Sequence, residues 1–189
     1  MKSICRISLL LCILAGAEQA YAGSTHCFGK CGVPDTGQAT VYSTGDDGTY
    51  VPAATQPGFT DNGNGTITDN RTGLMWAKDG WGAGANNGYG MAWANAIVFA
   101  STCTLGGYPD WRLPNIKELI SIVNYTGTAP FINATYFPNT VSGYYWTSTT
   151  NPADTTTALV VGFVGDAYFP ASYYLKTGMD FVRLVRGGP

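Results

Sequence analysis

GGYPDWRLPNIKELISIVNY, residues 106–125, is the stretch that sets the fold class. Gly106 and Gly107 break whatever element precedes them. Pro114 opens a helix at its first turn, where a missing N–H costs nothing. Ile116, Leu119, Ile120 and Val123 then repeat at i, i+3, i+4 and i+7, the template of a one-sided helix. Asn115, Lys117, Glu118 and Ser121 take the wet side. Upstream, residues 91–102 (MAWANAIVFAST) are Ala-rich and apolar nearly all round, which predicts a buried helix. Between that helix and the chain before it, residues 79–90 hold five glycines and two adjacent asparagines, and so read as a loop carrying Trp81 and Tyr89. Further upstream, Phe59-Thr60 and Thr66-Ile67-Thr68 flank an Asp61–Gly65 turn and predict a hairpin. A second turn at 69–73 leads into Leu74-Met75-Trp76.

Downstream the pattern changes to strands. Tyr144–Thr149, Thr157–Phe163, Ala167–Phe169 and Asp180–Arg186 have strand composition. Alternation in the last puts Val182 and Leu184 on one face and Arg183 on the other. A hairpin, two helices and then strands describe an α+β domain, an antiparallel sheet with two helices set apart from it.

Composition narrows the function. The chain has 189 residues, 10 Lys+Arg against 12 Asp+Glu, a net charge of −2 and only 12% charged residues. No excess of cations exists to neutralise phosphates, so a nucleic-acid binder is excluded. At 45% hydrophobic and 13% aromatic, the chain is neither a disordered tail nor a coiled coil.

Residues 1–22 read as a signal peptide: Lys2 and Arg6, an apolar run from Ile7 to Ala15, then Ala20-Tyr21-Ala22 as a small-x-small cleavage site. The run is far shorter than the roughly 20 residues that span a bilayer, and no second long apolar stretch predicts a membrane span. Leu11 before Cys12 does not suit a lipoprotein. Removal of Lys2, Arg6 and Glu18 moves the net charge from −2 to −3. The expected product is secreted, periplasmic or on the cell surface. It would consist of an extended N-terminal segment (23–57), rich in Gly, Thr, Asp and Pro, and a domain over 58–189.

Three cysteines remain after cleavage. Cys27 and Cys31 could close a local disulfide, or one of them could pair with Cys103; the leftover thiol would be buried and inert or would link two chains in a homo-oligomer. Structural zinc wants four ligands, and only His26 is near.

Several of these stretches belong together. FTDNGNGTITDNRTGLMW (59–76), GGYPDWRLPNIKELISIVNY (106–125), YFPNT (136–140), YYWTST (144–149) and FVRLVRGG (181–188) occur in this order. The chain thereby resembles the family named for the C-terminal domain of the Legionella collagen-like protein, over roughly 59–188. The resemblance implies an exported or surface bacterial protein with a fold similar to C-type lectins. The family's namesake is a trimeric adhesin that binds sulfated glycosaminoglycans and takes part in biofilm formation. This chain has no Gly-X-Y repeat to support such a trimer, and its net negative charge argues against a sulfated ligand. A local basic patch could still form from Arg71, Lys78, Arg112, Lys117, Arg183 and Arg186.

Candidate sites are few. Asp61 and Asp69 flank an Asn/Gly run that looks like a calcium loop. Aligned on Gly65, however, the first and twelfth positions fall on Thr60 and Arg71, where carboxylates belong. A different calcium site using Asp61 and Asp69 is the weak alternative to a plain hairpin turn, and no other cofactor is expected. Asp110 and Arg112 could hold a ligand on either side of Trp111, or brace the loop. Trp76, Trp93, Trp111 and Trp146 read as core. Trp81 has only Gly, Ala and Asn around it, which cannot bury an indole, so it and Tyr89 are ligand-contact candidates. Tyr144, Tyr173 and Tyr174 are lesser ones. No His lies in the domain, which removes Ser–His and Cys–His nucleophile pairs, and Glu118 is the only glutamate beyond the signal peptide. The expectation is a non-catalytic binding or adhesion module for a glycan or surface partner. A structural or assembly subunit of a surface complex is the alternative, and a hydrolase is the third.

Overall fold

The computed structural model describes residues 38, 40–50, 58–125, 129–164 and 171–187. In chain order the elements are α1 (Asp47–Tyr50), β1 (Phe59–Asp61), β2 (Thr66–Asp69), β3 (Met75–Ala77), α2 (Trp93–Thr102), α3 (Ile116–Ile120), β4 (Tyr144–Thr150), β5 (Thr157–Gly162), β6 (Ala171–Leu175) and β7 (Val185–Arg186). The hairpin forms where the Asn/Gly run predicts it. Gly63 and Gly65 take φ of +74° and +83°, backbone that favours glycine, and the Asp61 carboxylate accepts the Gly63 N–H at 3.0 Å.

The architecture is α+β, with two antiparallel sheets where the sequence suggested one. The first runs β1-β2-β3-β7 and the second β4-β5-β6. Pairing of Ile67 with Trp76, and of Trp76 with Val185, lines up three fully buried side chains across the first sheet. The second sheet is buried on both faces around β5 and the start of β4, while β6 at its edge is partly exposed. Tyr145 and Val161 face a core with Trp76, Leu119 and Phe137; Trp146, Ala158 and Val160 face another with Ala96, Ala100, Trp111 and Leu184. Burial on both sides is why TALVVGF is continuously apolar rather than alternating.

Several elements differ from expectation. Helix α2 is not buried all round. Ala96 and Ala100, one turn apart, are its buried residues. Their small side chains let the helix settle close to its neighbours, which leaves Ile97 and Val98 38% and 61% exposed. Helix α3 starts at Ile116, with Pro114 just outside it. Asn115 forms a capping box: its side chain accepts the Glu118 N–H at 2.9 Å, and Glu118 accepts the Asn115 N–H at 2.7 Å. The helix ends at Ile120, because the backbone of Val123 and Asn124 is drawn into pairing with Phe131 and Ile132.

The strand expected at 167–169 lies outside the described residues. Of 180–186, only Val185–Arg186 is strand, and Val182, Arg183, Leu184 and Val185 are all fully buried. Arg183 is thus not on a wet face. It donates to the Ala77 and Lys78 carbonyls at 2.7 and 2.9 Å and to Thr140 Oγ1 at 2.6 Å. Within the N-terminal segment, residues 40–50 are coiled rather than extended. The Asp46 carboxylate accepts the N–H groups of Tyr42, Ser43 and Thr49 and the Gln38 amide, and these bonds outweigh desolvation to hold its carboxyl below the usual value.

Candidate functional site

The 79–90 loop is anchored at its base and bare at its tip. Asp79 accepts the Trp81 N–H at 2.9 Å and the Asn139 amide at 3.0 Å. Gly80 donates to the Pro138 carbonyl at 3.0 Å, and its Cα lies so close to the Asn139 carbonyl that a Cβ would collide. Gly84 is buried against Ala77 and Leu105. Asn86 and Asn87 take φ of 49° and 52°, which asparagine tolerates better than most residues. Asn86 donates to the Tyr89 carbonyl. From this rigid base Trp81 and Tyr89 project, 66% and 72% exposed. The Trp81 ring lies against Gly88, the residue before Tyr89.

A backbone bridge then joins the loop to the last part of the chain. Met91 donates to the Asp180 carbonyl at 2.9 Å, and Asp180 donates back at 3.3 Å. This sets Gly90 against Met179, itself exposed. The Phe181 N–H donates to the Tyr144 carbonyl, and the Trp146 N–H donates to the Phe181 carbonyl, both at 2.9 Å. Asp180 is therefore held between the loop and β4. Tyr144 packs on Tyr174 of β6 with ring centroids 4.9 Å apart and planes tilted by 42°. Burial holds the Tyr174 phenol above its usual pKa, and the neighbouring Tyr144 and the Asp180 charge push the same way. Burial alone pushes the Asp180 carboxyl up to about 6.

Of the ligand-contact candidates, Trp81 and Tyr89 are exposed on the loop, while Tyr144 is partly buried against Tyr174 of β6. Asp180 escaped the sequence reading. Its only signal was an acid at the head of an apolar strand.

The other candidates are engaged elsewhere. Asp110 pairs with Arg186 at 2.7 Å, and this bond lowers its pKa. Arg112 forks onto Glu118 and also donates to the Gly187 carbonyl. Both residues brace the loop around Trp111, which is buried and donates to the Leu105 carbonyl. Asp61 pairs with Lys78, and Asp69 with Arg71. Asp69 is fully buried and also accepts the Arg71 N–H. The two weak calcium candidates therefore spend their oxygens on cations and N–H groups. Among the described residues no group of three metal-ligating side chains occurs.

Of the six cations of the expected basic patch, Arg71, Lys78, Arg112 and Arg186 each have a carboxylate partner, Arg183 is buried, and Lys117 is exposed. Cys103 is buried and, among the described residues, a free thiol; Cys27 and Cys31 lie outside the described residues. No helix among the described residues is long and apolar enough to cross a membrane.

Fold and site define an α+β domain that presents an aromatic surface from an anchored loop. The model of the Lcl C-terminal domain matches residues 65–186, and the chain belongs to that family. No curated protein matches it in sequence.

Proposed function

We propose that this chain is an exported, non-catalytic binding module that takes a glycan or surface partner, with Trp81 and Tyr89 of the 79–90 loop as its leading contact residues. The observation that carries the reading is the contrast within the 79–90 loop: two large aromatics are held out in solvent by a base whose hydrogen bonds fix their position. An exposed indole on a rigid support loses little entropy on binding and offers a flat apolar face to a sugar ring. The scattered, paired cations support an uncharged or cationic ligand over a sulfated one. Both oxygens of Glu118 are taken up by Arg112 and by the Asn115 N–H, which supports a structural role for it over an acid–base role. The burial of Cys103 favours the binding module over an assembly subunit linked through that thiol.

A glycan array probed with the mature protein and with Trp81→Ala tests the proposal. A set of bound glycans lost in the variant, with the thermal transition unchanged, is the expected result. No glycan binding together with a disulfide-linked oligomer would favour the assembly subunit instead. Sequencing of the N-terminus after secretion should find Gly23 first.

A further inference from the structure

A sheet edge is a row of unpaired N–H and C=O groups, and folded proteins cover it or blunt it with charge. The two sheets of this domain run β1-β2-β3-β7 and β4-β5-β6. Along the outer side of β7, Arg112 and Val185 exchange backbone bonds of 2.9 and 3.0 Å. Phe181 and Pro114 take the outer side of β4. β1 is short and ends on the exposed, charged Asp61. β6 is the remaining edge. Its sequence, ASYYL, has no charge and no proline, and it pairs with β5 along its whole length without a bulge.

The register shows which groups of β6 are free. The Lys176 N–H donates to the Thr156 carbonyl, so bonds to β5 are exchanged at Tyr174, opposite Ala158, and at Ser172, opposite Val160. Ala171, Tyr173 and Leu175 alternate with these and turn their N–H and C=O groups away from β5. The Leu175 carbonyl accepts the Gly178 N–H at 2.8 Å; among the described residues no other backbone group meets this outward row. The side chains beside it are apolar. Tyr173 and Leu175, two apart and so on one face, are 59% and 60% exposed, and the half-buried Leu159 lies opposite Tyr173.

We infer that a second copy of this chain docks here, its β6 pairing antiparallel with β6 about a two-fold axis at Tyr173. The free backbone row selects an extended strand as occupant, and the side chains select this one. With Tyr173 opposite its own counterpart, Leu175 falls opposite the partner's Ala171, and Tyr174 opposite the partner's Ser172. Large side chains meet small ones, except at the axis, where two tyrosines lie side by side as a favourable cross-strand pair. In the same register the outward backbone groups of Ala171, Tyr173 and Leu175 face one another, so each opposed pair exchanges two bonds. Two uncharged strands bring no like charges together. The exposed parts of Tyr173 and Leu175, with Leu159 beside them, bury roughly 700 Å² over both copies. A stable complex needs about 1,200 Å², so the dimer is weak, with Kd on the order of 100 µM. The inference is independent of the ligand contacts proposed for the 79–90 loop.

Sedimentation equilibrium of the mature protein from about 10 µM to about 1 mM tests it. A reversible monomer–dimer equilibrium is expected. Tyr173→Lys and Tyr173→Glu each set two like charges at the axis and should weaken the dimer by about tenfold or more. Mixed one to one, the two variants should dimerise again. Tyr173 is exposed, so both variants keep the fold, which an unchanged thermal transition checks. Amide exchange read by NMR gives the second measurement. The Tyr173 N–H should exchange slowly in concentrated protein and fast in dilute protein, while those of Ser172 and Tyr174 stay slow in both. A monomer at every concentration overturns the inference, as does a dimer that the charge variants leave intact or one linked by a disulfide. A Tyr173 N–H that exchanges slowly in the monomer also overturns it, since the chain's own residues then cover the edge.

Discussion

The Arg112 guanidinium grips the Glu118 carboxylate at two points, Nη1 to Oε2 and Nη2 to Oε1, both at 2.7 Å. The same carboxylate closes the capping box of α3. Burial pushes the Glu118 carboxyl up, but the bonds from Arg112 and Asn115 outweigh it and hold the carboxyl below its usual value. A depressed folded-state pKa gives stability that is present above the unfolded value and lost as pH falls through the folded one. Glu118→Gln is therefore expected to lower unfolding free energy by about 1 kcal/mol at neutral pH, an amount that allows for the solvent-exposed side of Arg112. The gap to wild type should close in acid below the usual carboxylate range. Urea titrations across pH check this; loss of ligand binding with unchanged stability would contradict it.

Asp180 gives the opposite slope. Its folded-state pKa, about 6, lies above the unfolded 3.8, so the native state binds more protons between these values and stability falls as pH rises through them. Asp180→Asn should match wild type near pH 4 and exceed it by about 1 kcal/mol at pH 7, a figure reduced because the half-exposed carboxyl is screened by solvent. Paired denaturation curves at the two pH values measure it.

Arg183 pins the domain from inside. Its guanidinium is fully buried, donates to two carbonyls and the Thr140 hydroxyl, and lies 5.2 Å from the centre of the Phe137 ring. Arg183→Met keeps bulk but leaves three buried acceptors unmet, at an expected cost of about 3 kcal/mol or more. Thr140→Val should cost about 1 kcal/mol. Chemical denaturation of both variants tests the order; a stable Arg183→Met would remove the pin.

Gly80→Ala tests the loop anchor. A Cβ there meets the Asn139 carbonyl, so the backbone must shift and the contacts of 79–81 with 138–139 must loosen. The expected loss is about 1–3 kcal/mol, as for other overpacked sites. NMR shifts should change at 79–90 and 138–140, and ligand affinity should fall with them.

The parts that were legible in the sequence are those fixed by local chemistry. The Asn/Gly hairpin and the Asn115–Glu118 cap declare themselves within a few residues. Trp81 stood out because its neighbours are too small to cover it. What stayed hidden depends on distant partners. Arg183 reads as a solvent-facing residue because the carbonyls that hold it lie more than a hundred residues earlier, at Ala77 and Lys78. The Asp180–Phe181 backbone meets Met91 and Tyr144 of β4 only through pairings distant in sequence. The strand β6 was missed, and α2 was over-buried, because composition does not show which face of an apolar segment meets a neighbour.

Val182 to Arg186 enter nearly every part of the domain. They complete β3's pairing, bind the backbone of Arg112, take the Gly84 carbonyl and pin Thr140. A ribosome delivers these residues after all the partners they join. β1–β3 and β4–β6 can pair with their sequence neighbours, but β3's second partner and the buried residues 182–185 arrive only with this late segment. Completion of the chain's cores is thereby delayed until β7 has been made. That delay suits the export proposed for it, in which the chain would cross a narrow secretion channel unfolded and seal itself on the far side.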